Sequence, residues 1–300
     1  MTVMTSSNGT TSTSTTGRPA GGPARPGPGR TPATQRRTAL GRVLRMTRFE
    51  LAMIVRQKVA LLSIALAPLI AVGMALLNRP TSPAAWMVML SSMSVLVLIV
   101  AVYNTTTSTV VARRETQVLK RLRTSELLPA QMLVSLALPY VLVGLLQVVV
   151  VAVAYQLLGA PSALAPGFYL VVLATAVMGV LGGFATAGFA ATSERVQFAV
   201  LPVLLVGLVA AIFVLNPGAP DHLRALALLL PFAASSDLAC RLLGAPGEMF
   251  AAPAFVVDLA DRVGVPTATL MTAADVALVA LWCVLFAATA RRTWRWEPRG

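Results

Sequence analysis

Arg113-Arg114-Glu115-Thr116-Gln117-Val118-Leu119-Lys120-Arg121-Leu122-Arg123 lies between two long apolar runs, and its reading decides the fold. Charges this dense are excluded from hydrocarbon, where an ionised side chain without a partner is strongly disfavoured. The stretch is therefore expected to be an aqueous loop between two membrane spans, and its basic character places it on the cytoplasmic side.

Working outward, six apolar stretches are each near the ~20 residues that a bilayer core requires. They are Val59–Leu77, Trp86–Thr107, Met132–Leu157, Phe168–Ala191, Phe198–Leu215 and Leu270–Ala290. Pro68, Pro139 and Pro202 fall inside them, as expected where a span bends without breaking. The expected class is an all-α integral membrane protein with six transmembrane helices. Composition agrees: 57% of residues are hydrophobic and only 12% charged, about half the charge of an ordinary soluble domain.

The charge distribution orients the spans. Of 24 Lys and Arg, 17 lie in Gln35–Lys58, Val110–Gln131, Thr192–Gln197 and the stretch after Ala290. The opposite connections hold only Arg79, Arg224, Arg241 and Arg262. Both termini are thus expected in the cytoplasm, with the protein in the cell's inner (plasma) membrane. The net charge of +13 raises the question of nucleic acid. The basic residues cluster at the ends of apolar runs, however, and not in a patch interleaved with aromatics, so nucleic acid is excluded as a partner and the lipid bilayer is the expected one.

Residues 1–37 are rich in Thr, Ser, Gly and Pro and are expected to be a disordered cytoplasmic tail, with neither a secretory signal nor a span. Residues 38–292 form the six-span domain, and 293–300 a short cytoplasmic tail. At the start of the domain, Leu40, Val43, Leu44, Leu51, Ile54 and Val55 share one helical face, and Arg42, Arg45, Arg48 and Arg56 the other. That pattern predicts an interfacial helix with its apolar face in lipid and its arginines at the headgroups. Between the fifth and sixth spans, Leu223–Leu230 and Phe232–Leu243 are too short to cross and are separated by Pro231. They are expected to form a helical hairpin over the outer end of the bundle.

Little in the chain suggests catalysis. No phosphate-binding G-x-x-x-x-G-K-[ST] loop occurs, so the chain is not expected to bind ATP or to be an enzyme, and no cofactor is expected in it. One histidine and two cysteines, Cys240 in a polar-flanked loop and Cys283 in an apolar run, offer no metal set and no disulfide framework. Asp275 is the ionisable residue nearest a span interior, and it is expected as a solvated carboxylate in the outer turn of the last span. The remaining polar residues in the spans are hydroxyls and amides. Of these, Asn104, Thr105, Thr106 and Gln147 are the candidates to line a path, and interhelical hydrogen bonding is their other role. Gly179 and Gly183 form G-x-x-x-G, which supports close helix contact within the bundle or a dimer seam.

Over about residues 38–292 the chain resembles the membrane subunit of ABC transporters, in the type-2 permease family that includes drug- and antibiotic-resistance exporters. Three stretches carry the resemblance: "RVLRMTRFELAMIVRQKVALLSIALAPLI", "RRETQVLKRLRTSELLPAQMLVSLALPY" and "LRALALLLPFAASSDLACRLL". The second is similar to the family's E-x-G-T-L-x-x-L-x-x-T-P pattern, with Gln117 where the family has Gly and Ser125-Glu126 in place of Thr-Pro. The resemblance implies a half-transporter that works with a second permease copy or paralogue and with a separate ABC ATP-binding subunit, which holds the ATP. Glu115–Pro129 would be its coupling helix. Leu119 and Leu122 would fill a groove on the ATPase, and Lys120, Arg121 and Arg123 would meet its acidic rim. The cargo expected is a hydrophobic solute: a drug, natural product or lipid-like molecule. A non-transporting scaffold or sensor, or a secondary carrier, would need the same spans.

Overall fold

The computed structural model describes residues 41, 43–52, 56, 58–116, 129–161, 165–216, 218–244 and 252–294. The N-terminal tail lies outside them, as does most of the charged segment after Thr116. Uninterrupted apolar sequence surrounded by lipid satisfies its backbone only within a helix or a closed barrel, and here the described spans are helices. α1 runs Lys58–Asn78, and α2 runs Pro83–Leu98. The start of α2 is set by Ser82, whose Oγ accepts the Ala85 N–H at 3.2 Å, and by Pro83 in the first turn. A π-helical stretch, Ile99–Asn104, carries α2 without a break into α3, Thr105–Glu115. Then follow α4 (Pro129–Leu157), α5 (Pro166–Ala187), α6 (Ser193–Phe213), α7 (Asp221–Leu228), α8 (Ala233–Leu242), α9 (Ala254–Val263) and α10 (Thr267–Thr293).

Five helical rods are long and apolar enough to cross a membrane: α2 through α3, α4, α5, α6 and α10. α1 has 21 residues, and at 1.5 Å per residue it is about 31 Å long, the thickness of a hydrocarbon core. Pro68, Pro139 and Pro202 all lie inside continuous helices.

The second span is longer than its hydropathy implies. Its rod is Pro83–Glu115, 33 residues, so Arg113, Arg114 and Glu115 belong to a helix end and not to a loop. Hydropathy scores arginine as exposed, but Arg114 is only 2% exposed because its guanidinium is taken up by backbone carbonyls of another helix.

α5 is the central post. It packs against the α2–α3 rod, α4, α8 and α10. Its glycines explain the close approach: a Cβ on Gly183 would stand 3.0 Å from Thr106 Cβ and 3.1 Å from the Tyr103 carbonyl, and one on Gly179 would touch Val102. The G-x-x-x-G pair is therefore a seam inside this chain, against the π-helical stretch. Tyr103 closes the same junction, its hydroxyl sharing a 3.0 Å hydrogen bond with Thr186 of α5 and donating to the Val200 carbonyl of α6 at 3.5 Å.

The hairpin before the last span goes deeper than a cover. α7 and α8 meet at 105°, and the corner residue Phe232 has φ of 70°, a left-handed conformation uncommon for an aromatic residue. Phe232 is buried among Ile99, Tyr103 and α6, with its ring 6.2 Å from that of Tyr103. Gly207 makes room for it, since a Cβ there would lie 2.8 Å from the Phe232 ring. The tip thus reaches the middle of the 33-residue rod, and α8 packs between α2, α5, α6 and α10. Trp282 of α10 donates to the Leu229 carbonyl at 3.1 Å and holds the end of α7.

Two sequence expectations change here. Cys240 lies within α8, fully buried, and not in a loop; Cys283 is half-buried in α10, and neither forms a disulfide. Asp275 is not solvated: it lies in the third turn of α10, fully buried against α8. Its hydropathy position near a span end gives no hint that a neighbouring helix covers it.

Candidate coupling site

The end of α3 gathers three elements through three consecutive residues. Arg113 donates to Glu50 in the leading helical segment, residues 43–52, in an ion pair with both side chains largely buried. Arg114 donates to the Ala187 carbonyl at 3.0 Å and to the Ala190 carbonyl. These carbonyls lie at the C-terminal end of α5, where backbone acceptors lack intrahelical partners and the helix dipole favours a cation. Glu115 accepts the Ser193 N–H at 2.7 Å and the Ser193 hydroxyl. That caps the N-terminus of α6, where an anion is favoured for the complementary reason. Thr192 supplies the ordinary cap beside it, its Oγ1 accepting the Arg195 N–H at 3.4 Å.

Successive residues on a helix point about 100° apart, so one turn of α3 can hold three different elements. The α5–α6 turn is clamped at both of its helix ends, and the leading segment is fastened alongside. Thr293, at the end of α10, packs against Gly188 in the same turn, and Trp294 stacks edge-on to Phe184 at 5.7 Å. The chain enters Gln117 directly from this clamp and re-enters the bundle at Pro129, the first residue of α4.

Of the residues singled out from sequence, Glu115 is at the clamp. Leu119, Lys120, Arg121, Leu122 and Arg123 lie outside the described residues, as does Arg42. Arg45 and Arg48 are exposed on the leading segment. On that segment Val43, Thr47 and Glu50 are turned inward and buried, while Leu44 and Phe49 are exposed. The inward face is fixed by the Glu50–Arg113 pair, and Ser135 of α4 approaches Met46 Sδ at 3.4 Å. Glu50 is the only acidic residue before Lys58, and this was the sequence signal for the pairing. For Arg114 there was none, because carbonyl acceptors have no sequence signature.

The path candidates divide. Gln147 donates to the Ile64 carbonyl at 2.9 Å and ties α4 to α1. Thr105 donates to the Ala101 carbonyl of its own helix. Thr106 Oγ1 and Asn104 Oδ1 are buried and find no hydrogen-bond partner among the described residues.

An apolar bundle with several helices long enough to cross a bilayer, and with a helical pair bent by 105° among them, defines a polytopic membrane protein. The family model described as ABC-2 family transporter protein matches residues 52–290, and the chain belongs to that family. A search of curated proteins finds no match.

Proposed function

We propose that this protein is the permease subunit of an ATP-driven exporter whose energy comes from a separate ATP-binding subunit docked on residues 115–129. Family membership supports the permease part of this reading. The observation that carries the docking site is the clamp of Arg113, Arg114 and Glu115. A motor bound to the segment that follows it acts on the leading helix, the end of α5 and the start of α6 together, because all three are fastened to one helix turn. A flexible loop would dissipate that motion.

In this reading the clamp end faces the cytoplasm, as do both termini, and the hairpin faces outward. A second permease copy covers part of the apolar surface that α6 and α10 leave exposed, including Phe198, Val209 and Val284. Spans rich in Ala, Val and Leu suit a hydrophobic drug, natural product or lipid-like cargo, and Asn104 and Thr106 supply open polar atoms next to the central seam.

The test is co-purification in mild detergent with an ABC ATP-binding subunit. The wild-type chain is expected to co-elute. Leu119→Asp combined with Leu122→Asp is expected to insert normally and lose the complex, because it puts charge into an apolar docking surface. Co-elution of the double variant at wild-type yield would remove this segment from the docking role.

A further inference from the structure

A groove opens at the clamp end of the bundle, between the start of α4, the end of α5 and the end of α10. It encloses about 470 Å³, within the ~300–1,000 Å³ of small-molecule sites. α4 contributes Val134, α5 contributes Leu181 and Phe184, and α10 contributes Ala287 and Arg291, with Trp294 just beyond its last residue. Val134 is 54% exposed. An exposed valine on a membrane-spanning helix faces lipid, so the groove opens sideways into the bilayer.

Polarity changes along the groove in one direction. Leu181 and Ala287 mark its deep, apolar end, and Arg291 and Trp294 mark the end nearest the helix terminus. At 1.5 Å per residue, Ala287 and Trp294 are about 10 Å apart along the axis. Trp294 stands edge-on to Phe184 at 5.7 Å, which makes a fixed aromatic wall beside the arginine. Tryptophan and arginine together are characteristic of the headgroup level of a membrane.

The charge at that end is not neutralised within the described part of the chain. Among the described residues neither Arg291 nor Arg292 forms an ion pair. α4 and α5 contain no acidic residue. The one acid of α10, Asp275, is about 24 Å away along the helix. Glu50 is taken by Arg113, and Glu115 by Ser193.

We propose that this groove is a binding site for one anionic phospholipid. An acyl chain lies along Val134, Leu181 and Ala287, and the headgroup phosphate meets the Arg291 guanidinium, whose planar fork suits phosphate oxygens. The order of apolar and basic residues matches the way a phospholipid stands in its leaflet, chain inward and phosphate at the boundary, and basic pockets between membrane helices favour anionic headgroups. A soluble anion has no chain for the apolar half. Phosphatidylcholine has the chain, but its choline offsets its phosphate. Bound there, the lipid bridges α4, α10 and the same end of α5 that Arg114 holds. The site requires only that the chain lie in a membrane, and not that an ATP-binding subunit docks on it.

The experiment is native mass spectrometry of the full chain in a neutral maltoside detergent, titrated separately with dioleoyl-phosphatidylglycerol and dioleoyl-phosphatidylcholine. Phosphatidylglycerol is expected to bind the more tightly. Arg291 is exposed, so Arg291→Gln should fold normally. It should weaken phosphatidylglycerol binding about fivefold, the contribution of one basic residue near a membrane surface, and leave phosphatidylcholine unchanged. Arg262→Gln removes the same charge from α9, outside the groove, and should alter neither lipid. Ala287→Phe keeps every charge but fills the apolar half, and it too should weaken phosphatidylglycerol. Equal binding of the two lipids by wild type would overturn the proposal, as would wild-type phosphatidylglycerol binding by Arg291→Gln or by a folded Ala287→Phe. Equal weakening by Arg291→Gln and Arg262→Gln would overturn it as well, because attraction to net charge would then suffice. If Ala287→Phe does not fold, the two arginine variants decide. Co-elution with an ATP-binding subunit is a separate readout, so its failure strikes the permease reading and leaves the lipid site standing.

Discussion

Arg114→Ala is the substitution whose effect the structure defines most fully. Arg114 is 2% exposed, and its two terminal nitrogens donate to the carbonyls of Ala187 and Ala190. Hydrogen bonds from a charged group contribute about 1.5–3 kcal/mol each, so two set an upper bound near 3–6 kcal/mol. Against that stands the desolvation of the guanidinium, which is recovered when the side chain is removed. A net loss of about 2–4 kcal/mol is expected, within the range for breaking a buried polar network. Arg114→Lys should fall between, because one ammonium lacks the planar fork that reaches two carbonyls at once. The assay is thermal unfolding of the purified chain in one detergent, paired with ATP hydrolysis of its complex with an ATP-binding subunit. Arg114→Ala should unfold several degrees earlier. In the complex it should retain subunit association while losing most cargo-stimulated hydrolysis, since the docking segment is intact but no longer joined to α5. A variant with wild-type unfolding temperature and full stimulation would refute the clamp.

Other consequences can be measured on the same material. Tyr103→Phe and Thr186→Val each remove one partner of the 3.0 Å hydrogen bond. Each should cost about 1 kcal/mol, and the double variant should cost less than the sum of the two because they share one interaction; strict additivity in a thermal double-mutant cycle would argue against the bond. Gly183→Val should destabilise by about 1–3 kcal/mol through overpacking, because even a Cβ there would meet Thr106 and the Tyr103 carbonyl within 3.1 Å. A wild-type unfolding temperature for that variant would mean that α5 and the π-helical stretch are not in contact. Glu115→Gln should retain the Ser193 contacts in weaker form and lower hydrolysis less than Arg114→Ala does; the reverse order would shift the coupling route from α5 to α6.

The spans were legible because apolar length is a direct readout of bilayer thickness. Val59–Leu77 falls within α1, and Phe198–Leu215 starts inside α6 and ends two residues past it. The end of the second span was misjudged because Arg113 and Arg114 carry charges that only tertiary partners can neutralise. Hydropathy also gave two short apolar pieces around Pro231 but not their depth. The depth depends on Gly207 leaving space for Phe232, a contact between separate helices. The π-helical stretch has no local signature in Ile99–Asn104. Asp275 was misjudged for a related reason: it is covered by Asp237 and Arg241 from another element, and a single helical pattern contains no information about what packs on it. Glu115 was singled out through its motif, whereas its contact with Ser193 emerged only with the fold.

The central claim is that ATP hydrolysis by a docked subunit drives solute movement through this chain. It is tested most directly by reconstituting the permease and an ABC ATP-binding subunit into sealed vesicles and following uptake of a hydrophobic fluorescent solute. Uptake is expected only with hydrolysable ATP, and it should vanish with a non-hydrolysable analogue and in the Leu119→Asp, Leu122→Asp double variant. Uptake that follows an imposed proton gradient without ATP would contradict the claim and make the protein an ion-driven carrier.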